Sequence, residues 1–299
     1  MSNPLPRTGE QLRLRDGRLL GYQIYGAPQG RPLYFFHGFP GSHEQAALVH
    51  EPAAQAGIAL VAFDRPGFGD SSPWPAASID AIADDVAALA DHLGHARFAV
   101  LGVSCGGPYA LAAARRLPQR VQAVGLLAGI GPMHQVALRA GQLPMLRLMF
   151  ALARRHRWLA SPLLALDGLL FRLAPAKALQ ALSGLLTAPD QALLQRDATL
   201  RARFGLSLQR AYAQGVGGAL HEVARIARYD GGGLSDVAVP VHIFQSGQDR
   251  HVPPAMGQHL AERIPGAQLH LRPDEGHLSI VPHAFAECAA LLDAARAPR

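Results

Sequence analysis

The chain has 299 residues, 49% of them hydrophobic and 17% charged, enough apolar material for one large core and too little charge for a disordered chain. Two cysteines, Cys105 and Cys288, exclude a disulfide framework. The net charge of +6 is uneven: residues 132–236 hold 13 Lys+Arg against 6 Asp+Glu, and the remainder 15 against 16.

The arginines of that basic segment alternate with Leu and Ala, without the stacking aromatics of a nucleic-acid surface. It reads as a solvated helical face, with attraction to acidic substrates or an anionic membrane surface as the alternative. Nucleic acid is not an expected partner.

Met1–Arg7 lacks the apolar run of a secretory signal. Gln11–Arg15 alternates, Asp16-Gly17 marks a hairpin turn, and Leu19–Tyr25 resumes as a strand. Short runs, apolar on both faces, follow at Pro32–Phe36, Ile58–Phe63, Phe98–Leu101 and Val121–Ala128, as a doubly covered parallel sheet requires. Between them, Ser78 is placed to cap a helix carrying Ile79, Ile82, Val86, Ala90 and Leu93 and ending at Gly94. A second helix is predicted after Ser104, through Tyr109–Arg115, with Pro108 in its first turn.

After Gly129 the pattern is helical for about a hundred residues, interrupted by Pro144, Pro162, Pro175 and Pro189 and closed by Gly231–Gly233 as a flexible joint. Its most apolar stretch, Trp158–Leu173, contains Pro162, Asp167 and Arg172 and falls short of the roughly 20 apolar residues of a spanning helix. No integral membrane segment is expected, and a cytoplasmic location is the default. Strand character returns at Val239–Phe244 and Gln268–Leu271, and a last helix covers Ala284–Ala295. The expectation is an α/β fold: a parallel-sheet core from residues 1–131 and 237–299, with a helical cap or lid at 132–236.

Gly102-Val103-Ser104-Cys105-Gly106 has the form G-x-S-x-G, directly after a strand and before a helix. A turn that tight needs small neighbours, which Gly102, Gly106 and Gly107 supply. It leaves the Ser104 hydroxyl at a helix N-terminus, where the dipole favours developing negative charge. Other readings of the glycines fail: Pro108 stands where a phosphate-binding Lys is needed, and Ser72 replaces the third glycine of a dinucleotide fingerprint begun by Gly67 and Gly69. Cys105 is not the better nucleophile, because its own frame starts with the bulky Val103; its thiol reads as a packed bystander.

Asp249 follows the strand near Val241 and sits at the carboxyl edge of the sheet, with capping of the next helix as its other reading. Fourteen histidines make a lone His uninformative, but His277 lies after the last predicted strand, 28 residues beyond Asp249. His251 is the rival base, while Asp274 and Glu275 read as loop charges. No H-E-x-x-H pattern or cysteine clip occurs, so no metal is expected.

Two further motifs join these in order: His37-Gly38-Phe39-Pro40-Gly41-Ser42, and Asp64-Arg65-Pro66-Gly67-Phe68-Gly69-Asp70-Ser71. Together the set resembles the cap-bearing α/β-hydrolases over nearly the whole chain. The resemblance implies a mostly parallel eight-stranded sheet flanked by helices, with the cap inserted after the sixth strand. Some relatives carry the acid after the preceding strand; Ala128–Pro132 holds no carboxylate, which favours Asp249.

It further implies Ser104 as nucleophile, His277 as general base, Asp249 as orienting acid, and the backbone N–H groups of Phe39 and Cys105 as an oxyanion hole. His37 then belongs to the loop structure. The implied reaction is acyl-enzyme hydrolysis of a small carboxylic ester with apolar groups, water being the second reactant and no cofactor required. The same residues serve C–C bonds, thioesters and lactones. A ligand-binding protein with little turnover is the reading from another class, and an interfacial lipase docking through its basic cap is a third.

Overall fold

The hairpin at Asp16-Gly17 forms as the turn signal requires, with Gly17 at φ +87° between β1 (Glu10–Arg13) and β2 (Leu19–Gly26). The computed structural model describes residues 9–295, and Met1–Arg7 lies outside them. Six further strands follow: β3 (Arg31–Phe36), β4 (Ile58–Phe63), β5 (Phe98–Val103), β6 (Val121–Leu127), β7 (Val241–Ser246) and β8 (Gln268–Arg272). They form one sheet in the order β1-β2-β4-β3-β5-β6-β7-β8. β2 pairs antiparallel with both β1 and β4, and every pair from β4 to β8 is parallel.

Every residue of β4, β5 and β7 is buried, which is why β4 and β5 carry no polar alternation, while β7 also buries His242, Gln245 and Ser246. The faces are covered by α1 (His50–Gln55), α2 (Ile82–His92), α3 (Gly107–Arg116), α10 (Pro254–Arg263) and α11 (Ile280–Ala294). α2 starts later than the Ser78 cap predicts. Ser78 Oγ does accept the Ala81 N–H at 3.0 Å, but it caps a single tight turn ahead of the helix. α11 starts earlier than predicted, because Pro282 is tolerated in a first turn.

Six α-helices lie between β6 and β7: α4 (Pro144–Arg155), α5 (Ser161–Leu173), α6 (Pro175–Ser183), α7 (Ala188–Arg196), α8 (Ala198–Ala211) and α9 (Gly217–Ala227). The four prolines expected to interrupt this stretch instead open its helices, each at the first or second position of α4 to α7. α5 and α6 pack chiefly on other helices of the segment, whereas α7, α8 and α9 place side chains into the core. Gly231 and Gly233 hold φ +79° and +75°, and a Cβ at Gly231 would lie 2.6 Å from Pro132 Cγ. Among the described residues, no helix is long and apolar enough to cross a membrane.

Candidate active site

β5 ends in a turn so sharp that Ser104 adopts φ +53°, a left-handed conformation non-glycine residues rarely take. The neighbouring glycines permit it. A Cβ at Gly106 would stand 2.1 Å from the Phe36 carbonyl oxygen, and one at Gly102 would stand 2.8 Å from Gly107 Cα. The Ser104 carbonyl accepts the Ile130 N–H at 3.0 Å, which pins the turn to the chain after β6.

His277 comes from the loop between β8 and α11, and Asp249 from the loop after β7. With Ser104 they form one hydrogen-bonded line: His277 Nε2 is 3.1 Å from Ser104 Oγ, and Nδ1 is 2.7 Å from Asp249 Oδ2. The carboxylate fixes the tautomer with its proton on Nδ1, so Nε2 accepts from the hydroxyl. Asp249 Oδ1 accepts the N–H groups of His251 and Val252 at 2.7 and 2.8 Å. Asp249 therefore orients His277 with one oxygen and holds the turn ahead of α10 with the other, without capping that helix itself. Burial disfavours the His277 cation, but the Asp249 charge and hydrogen bond, joined by the charge of Asp190, hold its pKa above the ordinary imidazole value.

His251 stacks on His277 with centroids 4.8 Å apart. Burial and the adjacent His277 push its pKa down to about 4, which keeps it neutral and makes it unsuited as the base. Donor atoms of Asp249, His251 and His277 lie within 4.8 Å of one another. Both carboxylate oxygens and both His277 nitrogens have protein partners, whereas His251 Nδ1 is buried without one. Glu275 pairs with His283 at 2.8 Å, and Asp274 is exposed.

The loop from His37 to Ser42 runs beside the turn, and a Cβ at Gly38 would be 3.4 Å from Ser104 Cβ. The loop is held from both sides. Gly38 N–H donates to Gln45 Oε1 at 2.5 Å, and the Arg65 guanidinium donates to the His37 carbonyl and, at 3.1 Å, to that of Gly38. His37 donates from Nδ1 to the Gly38 carbonyl and accepts the Arg65 N–H on Nε2. Burial and Arg65 hold its pKa far below the ordinary value, so it stays neutral as part of the loop. Phe39 follows Gly38 and Cys105 follows Ser104, so both backbone positions belong to this rigid frame. The Cys105 thiol is buried and its pKa is pushed up to about 12, which leaves it unreactive.

Sequence reasoning missed two carboxylates from the inserted helices. Asp190 on α7 accepts the backbone N–H groups of His277, Leu278 and Ser279. Glu222 on α9 binds Arg65, Tyr109 and Arg225 inside the core. The one local signal, Thr187 three residues before Asp190, matches a capping-box pattern and points to a role within α7 alone. Asp64, in the motif after β4, accepts the His43 N–H at 2.7 Å and the Asp70 N–H at 2.9 Å, and so joins the two family-like loops.

Comparison with known proteins places this geometry in a family. The profile described as alpha/beta hydrolase fold matches residues 31–284. The acetyltransferase component of an acetoin cleaving system from Pseudomonas putida is 37% identical over 43% of this chain and 34% of its own length. The chain thus matches about a third of the length of the first curated relatives. A poly(3-hydroxyalkanoate) depolymerase from Ectopseudomonas oleovorans is 26% identical over 87% of this chain and 83% of its own. Among solved structures, a hydrolase from Pseudomonas aeruginosa superimposes with TM-score 0.69 at 22% identity, covering 95% of this chain and 97% of that one.

Proposed function

The chain belongs to the α/β-hydrolase fold family, and from that premise we propose that it is a serine hydrolase cleaving a carboxylic ester with apolar groups. The observation that carries this reading is the line Asp249–His277–Ser104 beside the braced Gly38-Phe39 loop. His277 takes the hydroxyl proton as Ser104 attacks the carbonyl, and the proton then passes to the departing alcohol. Water, deprotonated by the same imidazole, releases the acyl group. The backbone N–H groups of Phe39 and Cys105 receive the oxyanion, and Asp249 stabilises the imidazolium without being protonated. The inserted helices act as a cap over Ser104, which is 6% exposed, and their Leu-rich composition suits an apolar acyl or alcohol part.

The test is intact-protein mass after incubation with a fluorophosphonate, in which the Ser104 oxygen displaces fluoride from phosphorus. One adduct, mapped to the peptide carrying Ser104, is the expected result, and p-nitrophenyl esters of graded chain length then rank the acyl group. No adduct on folded protein would turn the reading toward a ligand-binding role.

The labelling rate is also expected to follow deprotonation of His277. Because Asp249 and Asp190 raise that pKa, the rate should climb with pH through a midpoint above about 6.5 and then level off. A profile flat from acid to neutral pH would exclude a His base.

One observation favours docking of this hydrolase at an anionic lipid surface. Trp158, Leu166 and Leu173 are 66%, 57% and 67% exposed on the inserted helices, among the exposed Arg147, Arg155, Arg157 and Arg172. Hydrolysis is then expected to jump when the ester is presented in anionic micelles and to lose that jump in high salt. A Leu166→Asp, Leu173→Asp variant that keeps the full jump would remove this reading.

A further inference from the structure

Ester hydrolysis by Ser104, His277 and Asp249 requires no carboxylate from the inserted helices, yet Asp190 of α7 is wholly buried against the His277 loop. Its Oδ1 accepts the N–H groups of Leu278 and Ser279 at 2.9 and 2.8 Å. Its Oδ2 accepts that of His277 at 3.0 Å and the Thr187 hydroxyl at 3.2 Å. The three N–H groups immediately precede α11, where a helix start leaves its donors without intrahelical partners. A carboxylate distant in sequence thus ties down the turn that leads into α11.

The seat is closely shaped. A Cβ at Gly276 would lie 2.3 Å from both Asp190 Oδ1 and Thr187 Oγ1, so only glycine admits the carboxylate there. A buried carboxylate is tolerable because four donors meet its two oxygens. These bonds also tie the backbone of His277 to a helix that packs on α6 and α8 of the insertion.

Building on the assignment of Ser104, His277 and Asp249, we propose that Asp190 is a positioning residue that makes the His277 base conditional on seating of the inserted helices. With α7 in place, the His277 backbone is clamped and its imidazole aims at Ser104. With α7 withdrawn, three N–H groups lose their acceptor together and the aim is lost. The hydrolytic apparatus is therefore complete only when the cap covers it. Four groups face the His277 ring: Asp249 from the loop after β7, the neutral His251 stacked on it, the Ser104 hydroxyl and, through the backbone it clamps, Asp190. Asp190 adds a negative charge that favours the imidazolium alongside Asp249.

The test compares full-length wild type with Asp190→Asn in fluorophosphonate labelling across pH, together with kcat and KM for a p-nitrophenyl ester. Asn retains one acceptor oxygen for Leu278 and Ser279 but turns an NH₂ group against the His277 N–H. The loss of a charge-assisted bond predicts a kcat lower by about 30-fold with KM little changed, and a labelling midpoint moved to lower pH. If Asp190→Asn does not fold, Gly276→Ala decides. Its Cβ expels the carboxylate while keeping the charge in the chain, and its fall in rate and midpoint should match. Wild-type rate and midpoint in either folded variant would overturn the proposal, as would a slower rate with an unmoved midpoint. A wild-type protein that forms no adduct at Ser104 would overturn the triad assignment and the proposal with it.

Discussion

Replacing Ser104 with Ala is expected to lower kcat for an activated ester by roughly 10⁴- to 10⁶-fold, with no fluorophosphonate adduct and an unchanged melting temperature. The physical case rests on what the substitution leaves alone. Ser104 is at φ +53°, a strain that Ala bears as well as Ser because both carry a Cβ. The side-chain hydrogen bond to His277 is given up, together with a contact to the buried Cys105 thiol. The flanking glycines, the bond from Ile130 and the braced Gly38 loop all remain. A residual rate above the uncatalysed reaction is expected from the backbone donors alone. Adding His277→Ala to Ser104→Ala should lower the rate little further, since the two act as one unit. Turnover of pure Ser104→Ala at the wild-type rate would remove Ser104 as nucleophile.

The second large effect is on stability. Glu222→Ala is expected to destabilise the protein by about 4 kcal/mol, because it leaves the buried guanidinium of Arg65 without its carboxylate. Glu222 is wholly buried on α9; it accepts from Arg65 Nε at 3.0 Å, Arg225 Nη1 at 2.9 Å and the Tyr109 hydroxyl at 2.5 Å. At about 2–4 °C per kcal/mol for a chain approaching this size, the melting temperature should fall by roughly 10 °C. Activity should fall as well, because Arg65 also holds the carbonyls of His37 and Gly38 beside Ser104. Thermal unfolding and kcat measured on the same preparation check both. A melting temperature unchanged in Glu222→Ala would mean that water or another group takes over the guanidinium.

Both effects depend on residues of very different visibility in the sequence. Ser104 was legible because its turn constrains neighbours within two positions: Gly102 and Gly106 must be glycine whatever the rest of the chain does. The parallel strands were legible because burial on both faces suppresses polar alternation, as in Ile58–Phe63. Asp249 and His277 stood out by their places after the last two strands, and the structure brings both to Ser104. Asp190 and Glu222 were not legible. Each lies on a helix where a carboxylate ordinarily faces solvent, its one near partner is three residues away, and the partners that draw it into the core are more than 80 residues away. The prolines of the insertion were misleading for a related reason: a proline breaks the helix before it and starts the one after it, and spacing alone does not say which.

The layering of the inserted helices bears on how this protein tolerates recombination. α7, α8 and α9 carry Asp190, Ser207, Arg210 and Glu222 into the core, and Gly218 meets Gly67 backbone to backbone. A chimera that exchanges the whole of residues 132–236 for another cap discards these contacts together. One that exchanges only α5 and α6 breaks none of them, but it gives up the Asp167–Tyr212 bond and the packing of Leu164, Phe171 and Leu179, and it alters the outer surface bearing Leu166 and Leu173. The segment therefore contains two kinds of inheritance: an inner tier that must descend with the core it completes, and an outer tier that need only match the inner one.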